Sequence, residues 1–361
     1  MSKEEILEKY SGGLVKADEA EAAEREDSAE KKLIIYCARG RISQELAEEL
    51  RDRGYDAYSL KGGYTSWLLN EMKNQQADEV CAQVEKSIRK KFRKNIWCKF
   101  TKAINQYELV KEGDCIAVCI SGRKDSMLMA KLMQELQRHS KVKFELVFLV
   151  MDPGYNEINR QKIESNAELL HIPITVFETD VFAVANTSEK NPCYLCARMR
   201  RGYLYSKAQE LGCNKIALGH HFSDVIETPV MSMFYGGQLQ AMLPKLHSKN
   251  FEGMELIRPM YCIHEDAILD WKRYNNLQFI QCACRFTENC AICDNGGGGS
   301  KRQEIKTLIR RLKRDNPNIE KSIFNSIHNV NIDTMPGYKT DGDYHTFLEK
   351  FDACMDGEPE E

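Results

Sequence analysis

Residues 116–126 read Ile-Ala-Val-Cys-Ile-Ser-Gly-Arg-Lys-Asp-Ser, and this stretch decides the fold. Its apolar first half is typical of a buried strand, its second half is a polar turn that contains glycine, and a helical pattern follows from Met127 to Met133. A strand that leads through such a turn into a helix presents backbone N–H groups and the positive end of the helix dipole. The stretch therefore predicts a binding site for phosphate or pyrophosphate.

The spacing of this turn differs from the two commonest phosphate-binding motifs. It has neither the Gly-x-x-x-x-Gly-Lys of a Walker loop nor the Gly-x-Gly-x-x-Gly of a dinucleotide-binding fold. The turn instead resembles the Ser-Gly-Gly-x-Asp-Ser loop of the ATP pyrophosphatases, enzymes that adenylate a substrate and release pyrophosphate. The resemblance implies ATP binding by the loop residues, which are Ser121, Gly122, Arg123, Lys124, Asp125 and Ser126.

One position of the loop departs from that pattern, because Arg123 stands where the second glycine is expected. A glycine there allows a positive φ, whereas arginine adopts such a conformation only with strain of about 1 kcal/mol or more. Its guanidinium could instead reach the pyrophosphate. We therefore expect weaker ATP binding than in a Gly-Gly loop.

The bulk composition is that of a globular chain with room for two domains. Of 361 residues, 42% are hydrophobic and 29% are charged, and no apolar run approaches the roughly 20 residues that span a bilayer. The start, Met-Ser-Lys-Glu-Glu-Ile, has no apolar signal core, so we predict a cytoplasmic protein without membrane association. The net charge of −3 argues against a uniformly basic nucleic-acid binder, although residues 86–102 are rich in Lys and Arg.

The pattern along the chain predicts six segments. They are an acidic segment at 1–32, a small α/β unit at 33–75, a basic helical connector at 76–112, a nucleotide-binding domain at 113–280, a cysteine- and glycine-rich loop at 281–300, and a basic helical region with a tail at 301–361. The run Gly296 to Ser300 is typical of a flexible linker, natural or engineered.

Strands alternate with helices through the predicted nucleotide-binding domain. The periodicity predicts strands at 115–120, 144–151, 173–178 and 214–218, and helices at 125–138, 157–170, 197–211 and from about 223. The small N-terminal unit has strand patterns at 33–37 and 55–60, a helical pattern at 42–50 and a short helix around Trp67. We therefore predict an α/β fold with a doubly wound parallel sheet and ligands at the carboxyl ends of its strands.

Fourteen cysteines are many for a reducing compartment, and they indicate metal or sulfur chemistry. Cys193 and Cys196 form a Cys-x-x-Cys pair, and further cysteines follow at 282, 284, 290 and 293. Such a pair with a distant third thiolate can hold a metal that keeps an open position. A structural zinc site completed by the cysteines at 290 and 293, or a redox dithiol, explains the pair equally well.

A third signal is Gly219-His220-His221, which ends a predicted strand shortly before Asp224. A histidine and an acid at the carboxyl end of a strand can contact a nucleotide or Mg²⁺. A lone histidine there is more often structural.

Together these motifs resemble the tRNA 2-thiocytidine synthetases over roughly residues 90–345. The matching segments are the loop at 121–126, Cys193 to Gly202, Ala217 to Asp224, and Met233 to Gly237. The resemblance implies an adenine nucleotide α-hydrolase fold and an enzyme that adenylates an anticodon-loop cytidine of tRNA with Mg²⁺ and ATP. Sulfur then replaces the oxygen of that cytidine by means of a 4Fe-4S cluster on three cysteines.

The resemblance also implies roles for individual residues. Cys193 and Cys196 would be cluster ligands, Cys282 or the competing Cys284 would be the third, and Asp224 would be the acid near the reacting nucleotide. The nucleotide would also contact Gly219 and His220, and the basic segments 86–102, 198–207 and 301–314 would contact tRNA phosphates.

The small N-terminal unit carries Cys37 between a predicted strand and a helix, in Tyr36-Cys-Ala-Arg-Gly-Arg-Ile-Ser43, and then Gly62-Gly63 before Trp67. This pattern resembles the active loop of rhodanese domains, in which a cysteine of lowered pKa carries a persulfide. The Asp-Val-Arg and Gly-His-Ile motifs of the rhodanese front half are not recognisable in residues 1–32, so the domain looks truncated. A buried structural cysteine is the alternative.

We accordingly predict a tRNA-cytidine sulfurtransferase in which Cys37 relays sulfur from a cysteine desulfurase or another persulfide donor. A homodimer remains open. Two other functions also remain: a related enzyme that thiolates another nucleoside or a small molecule, and a weakened sulfur-carrier or tRNA-binding protein. The last is favoured by Ser223, which replaces an expected aspartate, and by Pro229, which we expect to interrupt the helix that follows.

Overall fold

The described residues of the computed structural model, 14–16, 33–182, 192–280 and 301–353, fall into two units. One comprises residues 1–87 with 164–173, and the other comprises residues 88–163 with 174–361. Within the described part of the chain, no helix is long and apolar enough to cross a membrane.

A three-stranded parallel sheet forms the centre of the N-terminal unit. Its strands are β1 (Leu14–Lys16), β2 (Leu33–Tyr36) and β3 (Ala57–Ser59), in that order. Helix α1 (Arg41–Asp52) buries an apolar face on this sheet through Ala47 and Leu50. The periodicity predicts no strand before residue 33, because β1 has only three residues and is too short to show an alternation.

The predicted short helix around Trp67 is wrong, since helix α2 (Gly63–Arg89) runs for 27 residues. The sequence contains no glycine or proline between Tyr64 and Arg89 that would end it. Its length is also supported by packing, because Cys81 and Val84, three residues apart, are both buried. A π-helical turn (Arg93–Trp97) and helix α3 (Cys98–Gln106) follow.

The second unit contains a six-stranded sheet in the order β6-β5-β4-β7-β9-β8. The strands are β4 (Cys115–Ile120), β5 (Glu145–Asp152), β6 (Ile174–Glu178), β7 (Lys215–Ala217), β8 (Lys245–His247) and β9 (Glu255–Ile257). All adjacent pairs are parallel except β8 with β9. The predicted doubly wound parallel sheet is confirmed.

Helices connect these strands and extend beyond them. They are α4 (Lys124–His139), α5 (Glu157–Leu169), α6 (Pro192–Glu210), α7 (Phe222–Gly236), α8 (Glu265–Tyr274), α9 (Lys301–Asp315) and α10 (Ile319–Ser326). A 3₁₀ turn (Ile332–Thr334), the antiparallel pair β10 (Gly337–Thr340) and β11 (Asp343–Thr346), and α11 (Leu348–Ala353) follow. Helix α6 begins five residues before the predicted residue 197, since Pro192 fits the first position of a helix.

The order of the strands places a topological switch point between β4 and β7. The chain moves outward from β4 through β5 to β6, and it then returns to the other side of β4 to form β7. In such sheets, ligands bind at the carboxyl ends of the two strands that flank the switch point. The loop at 121–126 follows β4 and the Gly-His-His segment follows β7, so both lie at this end.

Helix α6 is fixed against the sheet by an apolar cluster. Tyr205 and Ala208 of α6 belong to the same buried cluster as Ala117 of β4, Leu149 of β5 and Ile216 of β7. Burial of side chains of this size stabilises the packing by about 1–3 kcal/mol each. The cluster therefore holds the helix whose first turns carry Cys193 and Cys196.

Pro229 lies inside α7 and does not interrupt it, contrary to the expectation from sequence. A proline removes one backbone donor, but the helix is held by a second apolar cluster. Phe222, Ile226 and Val230 of α7 pack in that cluster with Ile305 and Ile309 of α9. Tertiary packing therefore outweighs the helix-breaking tendency of the proline, and it also fixes α9 beside α7.

Candidate active site

The loop at 121–126 is a closed turn tied by one serine. The Ser126 hydroxyl accepts a hydrogen bond from the Ser121 N–H (3.1 Å) and donates one to the Arg123 carbonyl (3.0 Å). Gly122 has a φ of +75° and Lys124 begins α4. The first amides of α4 have no partner inside the helix, so the loop has the geometry of an anion site at a helix N-terminus.

Arg123 is not strained, and this corrects the expectation that it would need a positive φ. Its φ is −86° and its ψ is 161°, which is extended backbone that any residue adopts. The left-handed position is Gly122 alone, because the turn is completed one residue earlier than we expected. A glycine at position 123 would therefore relieve no strain.

Two glycines are required by close contacts at the switch point. A Cβ on Gly122 would lie 2.5 Å from Ile163 Cγ1 and 2.9 Å from Ile280 Cδ1. A Cβ on Gly219 would lie 3.3 Å from the Ser126 backbone nitrogen. The absence of both side chains lets the end of β7 approach the loop after β4.

His221 connects the loop to α7. The residue predicted from the sequence to contact the nucleotide is its neighbour His220. The His221 imidazole is buried, with Nε2 3.7 Å from Asp125 Oδ1 and Nδ1 3.4 Å from Asp224 Oδ2. The His221 N–H also donates to Asp224 Oδ2 (3.1 Å). The Gly-His-His motif contains this residue, but only the fold shows which of the two histidines lies between the acids.

His220, at the carboxyl end of β7, is held neutral by burial. Burial, and secondarily the positive charge of Arg258, lowers the pKa of His220 to about 4. Its Nδ1 is buried without a hydrogen-bond partner among the described residues. His220 is therefore a neutral group beside the loop at physiological pH.

A cavity of about 530 Å³, here called the loop cavity, lies beside the loop and is lined mainly by charged side chains. Its charged walls are Arg123, Lys124, Asp125, Asp224, Glu227, Glu265, Lys272, Arg302 and Lys306, together with His221. Leu269, Phe279 and Ile280 form its apolar part. Glu227, Glu265, Arg302 and Lys306 have no local motif, so sequence reasoning missed them.

The carboxylates of the loop cavity are paired with cations from several elements. Lys124 Nζ lies 2.7 Å from Asp125 and 3.3 Å from Glu265, and Arg302 lies 2.5 Å from Asp224. Lys306 also contacts Glu265. Partly buried charges require such partners, because an unpaired one costs several kcal/mol.

These pairs set the protonation states of the acids. Burial opposes ionisation of Asp224, but His221 and Arg302 hold its pKa below the usual value. Burial likewise opposes ionisation of Glu265, while Lys306 and Lys124 lower its pKa to about 2. Burial, reinforced by the charge of Asp224, raises the pKa of Glu227 to about 7. Asp224 is thus an ionised counter-ion and not a proton donor at neutral pH.

A second cavity of about 350 Å³, here called the strand-end cavity, is also lined by residues of the loop. Arg123 and Asp125 line both cavities. The strand-end cavity also contains apolar side chains at the ends of three adjacent strands, namely Ile120, Met151 and Leu218. Arg200 and Arg201 of α6, with Gly219 and His220, complete its polar side.

The first turns of α6 bring Cys193 and Cys196 to one helix face, because residues three apart are neighbours on a helix. Cys196 is half-buried, whereas the side chain of Cys193 and all of Cys282 and Cys284 lie outside the described residues. Among the residues that are described, no group of three His, Cys, Asp or Glu side chains is arranged so that it could hold a metal ion. The predicted three-cysteine site therefore stays a prediction.

Tyr155, after β5, is a buried hydroxyl that interacts electrostatically with the loop and with α6. Burial raises the pKa of Tyr155, Arg200 and Arg123 lower it, and Cys196 is among the groups whose charge raises it. The Tyr155 hydroxyl is buried without a hydrogen-bond partner in the described part of the chain. The Tyr155 hydroxyl is therefore an unused buried donor within electrostatic range of Arg123, Arg200 and Cys196.

Cys37 lies at the N-terminus of α1, in a turn that surrounds its sulfur with donors. Gly40 N–H and Ser43 N–H donate to Sγ at 3.1 and 3.4 Å, and the Ser43 hydroxyl lies 3.4 Å away. Ser59 lies 2.9 Å from that hydroxyl and orients it. The hydrogen bond with the Ser43 side chain is the main reason why the pKa of Cys37 is lowered to about 7, since burial works against ionisation.

Two family models match the chain. A PP-loop domain model matches residues 92–285, and a rhodanese-like domain model matches residues 6–70. The second match includes most of the acidic segment in which no Asp-Val-Arg or Gly-His-Ile motif is recognisable. It also includes β1, which pairs with β2.

Curated relatives are similar over 63% of the chain. A tRNA-cytidine(32) 2-sulfurtransferase of Citrifermentans bemidjiense is 36% identical over 233 residues, which are 63% of this chain and 88% of that protein. The protein of that name from Cellvibrio japonicus is 37% identical over 236 residues, which are 63% of this chain and 73% of the relative.

A solved structure shares the fold. It is the U34-tRNA thiolase NcsA from Methanococcus maripaludis with its [4Fe-4S] cluster, with a TM-score of 0.50 and 22% sequence identity. The match covers 64% of this chain and 76% of that one. At 22% identity, this similarity shows a shared fold and nothing further.

We expect Gly122→Ala to disrupt the loop, because the new methyl group needs both a left-handed backbone and space occupied by Ile163 and Ile280. The two penalties together are on the order of 2–5 kcal/mol of unfolding free energy. Gly113→Ala is the matched control, since Gly113 has a φ of +79° but no atom within 4 Å of its Cβ position. Urea unfolding and ATP titration measure the effect, and equal losses in the two variants would show that the contacts at Gly122 are unimportant.

We expect the alkylation rate of Cys37 by iodoacetamide to rise with pH and to reach half its maximum near pH 7, because the thiolate is the reactive form. Ser43→Ala removes the main stabilising hydrogen bond and should move the midpoint to higher pH. Gln44→Ala, on the exposed face of α1, should leave it unchanged. Mass spectrometry of the Cys37 peptide gives the rates. The same midpoint in Ser43→Ala and in the wild type would contradict the role assigned to the Ser43 hydroxyl.

Proposed function

The chain belongs to the PP-loop family of tRNA-cytidine 2-sulfurtransferases, and on that premise we propose that it converts an anticodon-loop cytidine of tRNA to 2-thiocytidine. It is an ATP-dependent tRNA thiolase. The observation that supports the finer assignment most directly is the position of the loop at the switch point, where Arg123 and Asp125 line two cavities.

Adenylation follows from the chemistry of the base and the charges of the site. The O2 of cytosine is a carbonyl oxygen without a proton, so its attack on the α-phosphorus of ATP needs no general base. The bond from the α-phosphorus to the bridging oxygen breaks, and pyrophosphate leaves with the electron pair. We assign charge neutralisation of that leaving group to Lys124 and the loop amides.

The remaining loop residues and the strand ends would bind the nucleotide. We place the adenosine in the strand-end cavity, where Met151 and Leu218 offer apolar surface and Gly219 allows close approach. Mg²⁺ usually keeps several waters and binds through one or two carboxylates together with phosphates. Asp224, ionised and next to the loop cavity, is the carboxylate that suits it best.

The donor set on α6 fits an iron-sulfur cluster as far as it is described. Two cysteines three residues apart, a nearby buried hydroxyl without a partner and two arginines form a site for an anionic sulfur group. We propose Cys193, Cys196 and Cys282 as ligands, with Cys284 as the competitor of Cys282. When bound, the cluster would supply an iron with an open position for hydrosulfide.

Sulfur then replaces oxygen at C2 of the base, and the oxidation state of the base does not change. Hydrosulfide forms a bond to C2 of the adenylated cytidine, the bond from C2 to the former O2 oxygen breaks, and AMP leaves with that oxygen and the electron pair. The proton of the hydrosulfide passes to water as the C2=S bond forms. Arg200 and Arg201, which line the strand-end cavity, would hold the phosphate of the leaving AMP. The basic residues of 86–102, 198–207 and 301–314 would contact the tRNA backbone.

Cys37 would carry the sulfur before this step. We propose that its thiolate accepts sulfane sulfur from a persulfide donor such as a cysteine desulfurase, which forms the Cys37 persulfide and frees the donor thiol. Release of that sulfur as hydrosulfide requires two electrons from an external thiol reductant. The amides of Gly40 and Ser43 would stabilise the persulfide anion as they stabilise the thiolate.

The central test is thiolation of tRNA by anaerobically reconstituted full-length protein, followed by nucleoside analysis and by iron, sulfide and zinc measurement. We expect 2-thiocytidine only with ATP. Cys196→Ser should lose iron and at least about 99% of thiolation but keep ATP affinity, because Cys196 lines neither the loop cavity nor the strand-end cavity. Cys98→Ser, at an exposed cysteine of α3, is the control and should keep both. Bound zinc without iron, or a different thiolated nucleoside, would overturn the assignment.

The relay has a separate test. With a protein persulfide as donor and a thiol reductant, Cys37→Ser should slow thiolation by about tenfold or more, since the variant cannot form the persulfide. With free sulfide as donor it should match the wild type, and Cys98→Ser should match it with both donors. Equal rates of Cys37→Ser and wild type with the persulfide donor would exclude the relay.

A further inference from the structure

Helix α9 presents two different stripes to its surroundings. Ile305 and Ile309 are buried in the apolar cluster with α7. Arg302 and Lys306 have the same spacing of four residues, and their side chains line the loop cavity opposite Lys124. The apolar stripe therefore fixes the helix at an orientation that directs two cations toward the loop.

Neither cation is fully exposed. The side chain of Arg302 is 39% exposed and that of Lys306 is 23% exposed, close to the 19% of Lys124. Arg302 contacts Asp224, while Lys306 and Lys124 share Glu265. Glu265 thus holds the two ammonium groups close together, although Asp125 is a second carboxylate beside Lys124. Two cations brought together in this way can both donate to one further anion.

The loop cavity as a whole also carries an excess of positive charge. Five basic side chains line it, from Arg123, Lys124, Lys272, Arg302 and Lys306, and they oppose four carboxyl groups, from Asp125, Asp224, Glu227 and Glu265. Glu227 is partly protonated near pH 7, which increases the excess of positive charge. This excess of positive charge favours an anion, and the 530 Å³ volume has room for pyrophosphate.

We propose that Arg302 and Lys306 of α9 bind the β- and γ-phosphates of ATP and the pyrophosphate product, so that the C-terminal helix completes the pyrophosphate site. The inference rests on the proposed adenylation chemistry. The PP-loop match ends at residue 285, so these two residues are an addition from outside the matched domain. On phosphate binding, Arg302 exchanges Asp224 for a phosphate oxygen, and Asp224 becomes available to Mg²⁺.

The test is titration calorimetry of the full-length protein with inorganic pyrophosphate and, separately, with AMP. Arg302→Gln and Lys306→Gln should each weaken pyrophosphate binding by about tenfold, the effect of losing one charge-assisted contact. AMP affinity should stay unchanged, because we place the nucleoside monophosphate in the strand-end cavity. Arg311→Gln, an equal charge change on the exposed face of α9, should alter neither affinity.

Three results would overturn the inference: unchanged pyrophosphate affinity in both variants, a loss equal to that of Arg311→Gln, or weaker tRNA binding with pyrophosphate affinity intact. If Arg302→Gln does not fold, Arg302→Lys, which keeps the charge, and Lys306→Gln decide the question. Failure of the proposed function is distinguishable, since the wild type would then bind pyrophosphate but form no 2-thiocytidine.

Discussion

The close approach of β7 to the loop after β4 is the constraint on which the site depends. It exists because Gly122 turns left-handed in a space bounded by Ile163 and Ile280, and because Gly219 has no Cβ to meet the Ser126 nitrogen. With both glycines in place, His221 reaches Asp125 across the switch point. The geometry of the nucleotide site is thus set by two missing side chains, and the charged residues are arranged around them.

The charges of the loop cavity are paired with one another within the protein. Each of Asp224 and Glu265 faces a cation from α9, and this arrangement lets ionised groups remain half-buried without a large desolvation cost. The same pairs make the cations available, since a phosphate can replace a carboxylate as their partner. Arg123 adds charge at the loop without backbone strain, so the departure from a second glycine changes electrostatics more than conformation.

The sequence predicts the central elements well because their signals are local. The strands at 115–120 and 144–151 alternate with helices, and the structure places them within a residue of the predicted bounds. The same reasoning failed for α2, where no residue marks an end, and at Pro229, where packing on Ile305 outweighs a local rule. Glu265, Arg302 and Lys306 could not be assigned, because only tertiary packing brings them within reach of Lys124.

The two units use the same physical device for two different anions. In each, a parallel strand leads through a glycine turn to a helix N-terminus, at Gly40 before α1 and at Gly122 before α4. Amides at such a terminus stabilise negative charge whatever group carries it. In the first unit a cysteine fills the turn and its own sulfur becomes the anion; in the second, Ser121 and Ser126 close the turn on each other and leave the amides to an external phosphate. The residue inside the turn therefore decides whether the device activates a nucleophile or binds a substrate.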